Sequence, residues 1–255
     1  GKQMQPSVTW IGHATALVQF SGLNILTDPI FSERASPLSF VGPKRAQPPA
    51  IALKDLPQID IVLISHNHYD HLDEASVRSL AAQSGRSPLF LVPLGVGAWF
   101  KQIGVGNVVE LGWWQSHKVV SPVGSAEVVM TPVQHWSGRS LTDRMESLWG
   151  GYAIFTSDFH FFHTGDTGYS PDFRDIATRF ADRQPTAGFD LALIPIGAYA
   201  PRWFMKDHHV DPDEAVRIHQ DLRATRSVAY HWGTFSLSDE ALDDPPIELA
   251  AARHA

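Results

Sequence analysis

The densest chemistry in this 255-residue chain lies in seven consecutive residues, Ser65-His66-Asn67-His68-Tyr69-Asp70-His71. They space three imidazoles and a carboxylate as His-x-His-x-Asp-His, directly after the apolar run Ile61-Val62-Leu63-Ile64. In extended backbone, side chains two apart point the same way, so His66, His68 and Asp70 can converge on one point while His71 faces a second. One zinc-type ion takes three or four protein ligands, so a run this dense at a strand end predicts two adjacent ions. The bland alternative is a histidine-rich polar loop. Such loops rarely set a carboxylate and three imidazoles straight after a buried-strand pattern.

Three further candidates also follow apolar runs: His135 after residues 128–133, Asp166 after Phe161-Phe162, and His231 after Val228-Ala229-Tyr230. If these strand ends share one edge with the His-rich loop, seven side chains converge. His66, His68 and His135 then serve a first ion, Asp70, His71 and His231 a second, and Asp166 bridges both. Nitrogen and carboxylate donors without sulfur suit zinc best, though iron or manganese can use the same set. The expectation is two Zn2+ per chain.

The elements that must position these residues read as strands at 8–11, 15–20 and 23–27, with Ser21-Gly22 as the hairpin turn between the last two. Further strands are expected at 60–65, 89–93, 107–110, 118–123, 126–133, 148–156, 159–164, 190–196 and 228–231. Helices are expected after an Asp73 cap, at 95–103, at 171–180, and after Asp211-Pro212-Asp213-Glu214, which has Asp, Pro and Glu at the cap, first and third positions. One more starts at Asp244-Pro245-Pro246 and meets the end of the sequence at Ala255, which predicts a truncated or disordered C-terminus. Residues 30–58 form a long irregular stretch, and loops of that length are usually functional or mobile. Strands dominate both halves, each half closing on strand–helix units. That order suits an α/β (α+β) chain folded as one domain over residues 1–255, a four-layer αββα sandwich.

With 44% hydrophobic and 18% charged residues the chain can bury a large core. A net charge of −7 argues against a nucleic-acid partner, which calls for a basic face. It leaves room for an anionic substrate, because bound metal ions reverse the local field. The absence of cysteine rules out disulfides, thiolate ligands and a cysteine nucleophile. The first residues hold no signal-like apolar core, and no run approaches the roughly 18 apolar residues of a membrane span. A soluble, cytoplasmic chain is the expectation.

The His-x-His-x-Asp-His run with His135, Asp166 and His231 resembles the metallo-β-lactamase superfamily of dinuclear hydrolases. More closely, the chain is similar to the N-acylphosphatidylethanolamine-hydrolysing phospholipase D family. The matching stretches are Thr27-Asp28-Pro29-Ile30-Phe31, Arg34-Ala35-Ser36-Pro37, Gly42-Pro43-Lys44-Arg45, the run from Ile64 to Asp73, Gly165-Asp166-Thr167-Gly168-Tyr169, Pro195-Ile196-Gly197-Ala198-Tyr199, Pro201-Arg202-Trp203-Phe204-Met205-Lys206, His209-Val210-Asp211-Pro212 and His231-Trp232-Gly233-Thr234. They cover nearly the whole chain. The resemblance implies an active-site role for His209, hydrogen-bonding the phosphate or leaving group. Mammalian members carry an N-terminal extension that helps form a membrane-facing, dimeric surface. The first strand here starts near Val8, so membrane contact and homo-oligomerisation stay open.

Asp28 either holds a ligand imidazole by its second nitrogen or starts the turn before Pro29. With Asp70 and His209 it makes up the candidate catalytic set. Tyr69, Lys44, Arg45, Tyr199 and Trp203 are the candidate substrate-binding residues. Tyr69 lies inside the metal loop, Lys44 and Arg45 could meet an anionic head group, and the 199–209 segment carries Tyr199 and Trp203. Trp203 and Phe204, like Trp113-Trp114, offer either core or a wall for an acyl chain. His13 is either a support to the site or a turn residue. His208 is expected to face solvent, and His219 to be a buried structural histidine. His117, His160 and His163 lack ligand-like context.

Two zinc ions lower the pKa of a bridging water to about 7, giving hydroxide at neutral pH. The expected reaction is attack of this metal-bridging hydroxide on a phosphodiester, with Asp70 or His209 assisting proton movement. The resemblance implies phospholipase D regiochemistry, releasing N-acylethanolamine and phosphatidic acid from N-acylphosphatidylethanolamine. The alternative is a zinc-dependent lactonase or esterase, for example toward acyl-homoserine lactones, because the same hydroxide can attack a carbonyl. A lipid-binding protein on a dead scaffold is disfavoured by the complete donor set, and a thiolate-ligated β-lactamase by the lack of cysteine.

Overall fold

The alternating apolar residues near the start of the chain fold as an antiparallel meander of β1 (Ser7–Gly12), β2 (Thr15–Phe20) and β3 (Leu23–Thr27). The computed structural model describes residues 5–184 and 188–254, so the expectations for the first residues and for Ala255 lie outside the described residues. From β3 onward the sheet is parallel, through β4 (Ile61–Leu63), β5 (Leu89–Pro93) and β6 (Val108–Leu111). A second six-stranded sheet has the order β12-β11-β10-β9-β8-β7. It comprises β7 (Ser116–Val120), β8 (Ser125–Thr131), β9 (Gly151–Phe155), β10 (His160–His163), β11 (Leu191–Pro195) and β12 (Ser227–Tyr230).

The two sheets bury Val18, Phe20, Ile25, Leu63, Met130, Ile154, Phe161 and Leu193 between them. On the outer face of the first sheet, α1 (Glu74–Ala81) and α2 (Gly97–Gln102) set Val77, Leu80 and Phe100 against Val62, Phe90 and Val92. On the second, α3 (Asp172–Arg179) and α5 (Pro212–Asp221) set Phe173, Ile176, Ala215 and Ile218 against Phe162, Ala192 and Ile194. Each helix buries one apolar stripe, which is what fixes the four-layer αββα order. Asp73 caps α1, and a complete capping box between Asp211 and Glu214 starts α5. A four-residue helix, α4 (Arg202–Met205), precedes it, and α6 (Asp244–Ala252) packs on α5. Among the described residues no helix is long and apolar enough to cross a membrane.

Most expected elements form, with three informative differences. β7 covers Ser116–Val120 rather than 118–123, because Ser121 and Gly124 close a backbone-bonded turn. β9 begins at Gly151, three residues late, since the Leu148 N–H is bonded to Leu94 outside the sheet. α4 was not expected, as four residues are too few to show helical periodicity. Residues 30–58 are irregular apart from a 3-10 turn at Leu53–Asp55 and an isolated bridge between Arg34 and Lys44.

β8 and β10 both run antiparallel to β9, and β10, β11 and β12 are mutually parallel. The strands preceding His135, Asp166 and His231 therefore share one direction. Tyr152 on β9 ties this sheet to the other: its hydroxyl donates to the Ile64 carbonyl at 2.8 Å and lies 3.2 Å from that of Leu91. Tyr152→Phe would leave a buried carbonyl unpaired directly before the His-rich loop. The expected cost is about 1–2 kcal/mol, seen as a lower urea midpoint at unchanged slope. An unchanged midpoint would show that the bond contributes nothing.

Candidate metal centre

Seven residues from four strand ends, those of β4, β8, β10 and β12, meet at one edge of the sandwich. His66 and His68 extend from β4, and His66 Nε2 lies 2.7 Å from His68 Nδ1, which in turn lies 3.4 Å from His135 Nε2. Next to them, His71 Nε2 and His231 Nε2 are 3.2 Å apart, and Asp70 Oδ2 is 3.3 and 3.4 Å from them. Asp166 Oδ2 stands between the two groups. It is 3.1 Å from both His71 and His231 Nε2, 4.0 Å from His66 Nε2 and 3.9 Å from His135 Nε2. Donors bound at zinc distances around a tetrahedral ion lie roughly 3.3–3.6 Å from one another. The second group fits that cage closely and the first loosely, and the donors are of the nitrogen-and-oxygen type that zinc accepts. Asp166 Oδ1 is buried with no hydrogen-bond partner, a vacancy that a cation would fill.

The surrounding hydrogen bonds select which ring nitrogen faces this centre. His71 Nδ1–H donates to Asp28 Oδ2 at 3.0 Å, and His135 Nδ1–H donates to the His208 carbonyl at 2.9 Å. His66 Nδ1 contacts Ser65 Oγ at 2.9 Å, whose own proton goes to Asp28 Oδ2 at 2.8 Å. In all three rings Nε2 is left as the free donor, the usual outer support of a metal-bound imidazole. Asp28 also accepts the Ser65 N–H at 2.7 Å and His163 Nε2–H at 3.0 Å. Of the two readings of Asp28, the structure therefore places it behind His71. It is fully buried and reaches the centre through His71, His163 and Ser65.

Burial disfavours charge at every one of these groups, and the outcome depends on the neighbours. His66 and His135 are held well below the ordinary histidine value by burial, with neighbouring imidazoles adding to the effect. His68 is pushed down to about 4, chiefly by burial. Burial also depresses His231, but Asp166 and Asp70 overcome it and lift the ring to about 9. His71 moves the same way, its burial outweighed by Asp166, Asp70 and Asp28. Asp70 and Asp166 sit well below the usual carboxylate range because these imidazoles outweigh their desolvation.

His209 joins the site with Nδ1 3.8 Å from Asp166 Oδ2, and that nitrogen has no hydrogen-bond partner. Arg202 fixes its backbone, donating to the His209 carbonyl at 2.7 Å and pairing with Glu214 at 2.7 Å. The proposed substrate contacts fare less well. Lys44 is paired with Glu33 at 2.8 Å, and Arg45 donates to the Ile30 carbonyl at 3.1 Å and to that of Gln47. Tyr199 is buried beside Glu248. Among the described residues none of these three is paired with a candidate ligand. The Tyr69 hydroxyl is likewise bonded to the Arg139 carbonyl, although its ring stays in the loop. Trp203 is 81% exposed on α4.

Three residues were undervalued from sequence. His13 is fully buried on Asp70, His163 is fully buried on Asp28, and Arg139 donates to the carbonyls of Asn67 and Leu72, clasping the His-rich loop. An isolated histidine after a glycine, or an arginine in a polar loop, carries no local signal of such a contact. His208 and His219 are both half-buried, rather than solvent-facing and buried. His219 bonds Ser227 Oγ at 2.7 Å, which draws it toward the helix edge.

An αββα sandwich with two adjoining histidine–carboxylate groups at one edge defines the class: a metallo-hydrolase fold. Comparison with known proteins narrows it. The Beta-lactamase superfamily domain matches residues 23–232, and the chain belongs to that superfamily. It is 43% identical over 235 residues to N-acyl-phosphatidylethanolamine-hydrolyzing phospholipase D 1 of Caenorhabditis elegans, covering 90% of this chain and 64% of that one. It is 40% identical over 244 residues to the mitochondrial N-acyl-phosphatidylethanolamine-hydrolyzing phospholipase D of Saccharomyces cerevisiae, covering 94% and 50%. The chain thus spans half to two-thirds of these relatives' lengths. Among solved structures it shares its fold with Igni18, a metallo hydrolase of Ignicoccus hospitalis, with TM-score 0.69, 23% identity, and 98% and 92% coverage.

The charges make a pH prediction. Without metal, His71 and His231 carry protons at pH 7, and an ion can take their Nε2 only by displacing them. Zinc uptake by stripped protein should therefore release protons, and its apparent affinity should rise with pH from about 6.5 towards 9. The metal-free fold has the opposite trend. The stabilisation from protonated His231 is complete below its unfolded value near 6.5 and is lost as pH rises through about 9. Calorimetric titration across this range checks both signs; an affinity independent of pH would contradict the assignment.

Proposed function

We propose that the chain is a dinuclear zinc-dependent phosphodiesterase of phospholipase D type, acting on N-acylphosphatidylethanolamine or a related phosphodiester. The observation that carries the reading is the place of Asp166, whose Oδ2 lies within 4.0 Å of ring nitrogens in both candidate subsites. The relatives named for this reaction, at 40–43% identity, supply the substrate class. His66, His68 and His135 would hold one ion, Asp70, His71 and His231 the other, and Asp166 both. When bound, such ions supply Lewis acidity and a water acidic enough to act as a nucleophile at neutral pH.

The chain's own groups then account for orientation and proton traffic. Asp28, through His71, His163 and Ser65, holds the ligand rings so that little reorganisation accompanies the reaction. His209 is kept neutral, its value pushed to about 3 chiefly by burial. A neutral imidazole can donate an N–H to a phosphoryl or leaving oxygen without adding charge. In the hydrolysis, water oxygen bonds to phosphorus, the bond from phosphorus to the ethanolamine oxygen breaks, and that oxygen takes the proton released. Phosphatidic acid and N-acylethanolamine result.

Apolar side chains suited to an acyl chain crowd the loops tied to the centre. Leu141 and Met145 follow Arg139, while Trp203 and Phe204 precede His208 and His209, and all four are exposed. A panel of N-acylated phospholipid, an aryl phosphodiester and an acyl-homoserine lactone, run with stripped and zinc-restored protein, tests the reading. Both phosphodiesters should be cut only after zinc is restored. Cleavage of the lactone with both phosphodiesters intact would favour the lactonase alternative. His209→Gln should lower kcat by about 10²–10⁴-fold with the ion count unchanged; a normal kcat would remove His209 from the mechanism.

A further inference from the structure

We propose that His13 is a positioning residue for the second metal subsite, fixing Asp70 by its ring and His231 by its backbone without being a ligand itself. This rests on the two-ion reading above. His13 lies in the turn between β1 and β2, at the outer edge of one sheet. His231 directly follows β12, the outer edge of the other. Among the described residues no strand pairing joins these two edges. The joint is made by His13, whose carbonyl accepts the His231 N–H at 2.9 Å and Trp10 Nε1–H at 2.9 Å. Its own N–H donates to Thr234 Oγ1 at 2.7 Å.

The ring completes the clamp. His13 Nε2 lies 2.8 Å from Asp70 Oδ2, the same oxygen that stands 3.3 and 3.4 Å from His71 and His231. A carboxylate oxygen that serves an ion can only accept, so beside a bound ion the proton of this 2.8 Å bond would come from His13 Nε2. That proton occupies the lone pair a ligand would need. The ring also lies 4.1 Å from the His231 ring and 5.1 Å edge-on from Phe235. Both histidines have left-handed backbone, with φ of 52° and 61°, a conformation that bulky residues hold only where their surroundings over-determine it. Here the determinants are each other, Thr234 and Asp70.

The test is zinc or cobalt(II) titration of the stripped full chain as wild type, His13→Phe, His13→Gln and Thr234→Val. Phe keeps the ring contacts but cannot bond Asp70. It should leave one ion at wild-type affinity and weaken the other by about 10–100-fold, with a changed cobalt(II) absorption band. Gln can donate to Asp70 from a similar position and should recover most of that loss. Thr234→Val removes the acceptor of the His13 N–H, together with a 3.3 Å bond to the Trp232 carbonyl, and should weaken the same ion by less. The retained ion reports a folded centre in each variant. If His13→Phe binds both ions as wild type does, the proposal fails. It fails equally if Gln is as weak as Phe, which would make His13 a ligand or mere packing. Uptake of a single ion by wild type would count against the two-ion reading alone, and the Phe-to-wild-type affinity ratio would still decide the role of His13.

Discussion

A carboxylate withdrawn from water costs several kcal/mol unless opposite charge and hydrogen bonds replace its hydration. Asp166 is 2% exposed, its Oδ1 meets no donor at all, and its Oδ2 is surrounded by imidazole nitrogens. Among the described residues no arginine or lysine is paired with it. The compensation must come either from protons on His71 and His231 or from cations that take those protons' place. Most of the surrounding architecture follows from that single placement. The strands of the second sheet run so that His135, Asp166 and His231 emerge together, and Gly165 (φ 66°) lets the chain turn where a Cβ would strike Ser65.

The two subsites are supported differently. The first is nearly neutral: three imidazoles, two of them turned by a hydrogen bond behind the ring, His66 on Ser65 Oγ and His135 on the His208 carbonyl. The second concentrates the negative charge, with Asp70 and Asp166 facing the centre and Asp28 buried one layer behind His71. Asp28 receives four donors, from His71, His163 and both polar groups of Ser65. Burial, the largest single effect, raises its pKa, but His71 and His163 together outweigh it and hold the value at about 2. Asp28 is therefore a fixed charge throughout the working pH range, a stable anchor for a ring that must not rotate.

What could be read from sequence, and what could not, divides along the range of the interaction. Strand periodicity is local, so β1 to β5 and the dense donor run from His66 to His71 were visible in residue spacing, but Asp70 joins His71 and His231 rather than His66 and His68. The capping box of α5 was equally plain from Asp211 and Glu214. The His13–Asp70 bond joins residues 57 apart, and His163–Asp28 residues 135 apart. Neither residue type nor neighbours mark such pairs, because only the stacking of the sheets creates them. The partners of Lys44 and Arg45 were hidden for a similar reason: Glu33 and the backbone carbonyls they meet are announced by no local pattern.

The central claim is that Asp166 joins two ions through one carboxylate. Electron paramagnetic resonance of the stripped protein refilled with two equivalents of cobalt(II) addresses it most directly. A shared bridge predicts two ions per chain with exchange-coupled spins, and loss of that coupling in Asp166→Ala. A single ion at saturation, or two ions giving the spectrum of isolated centres, would contradict it.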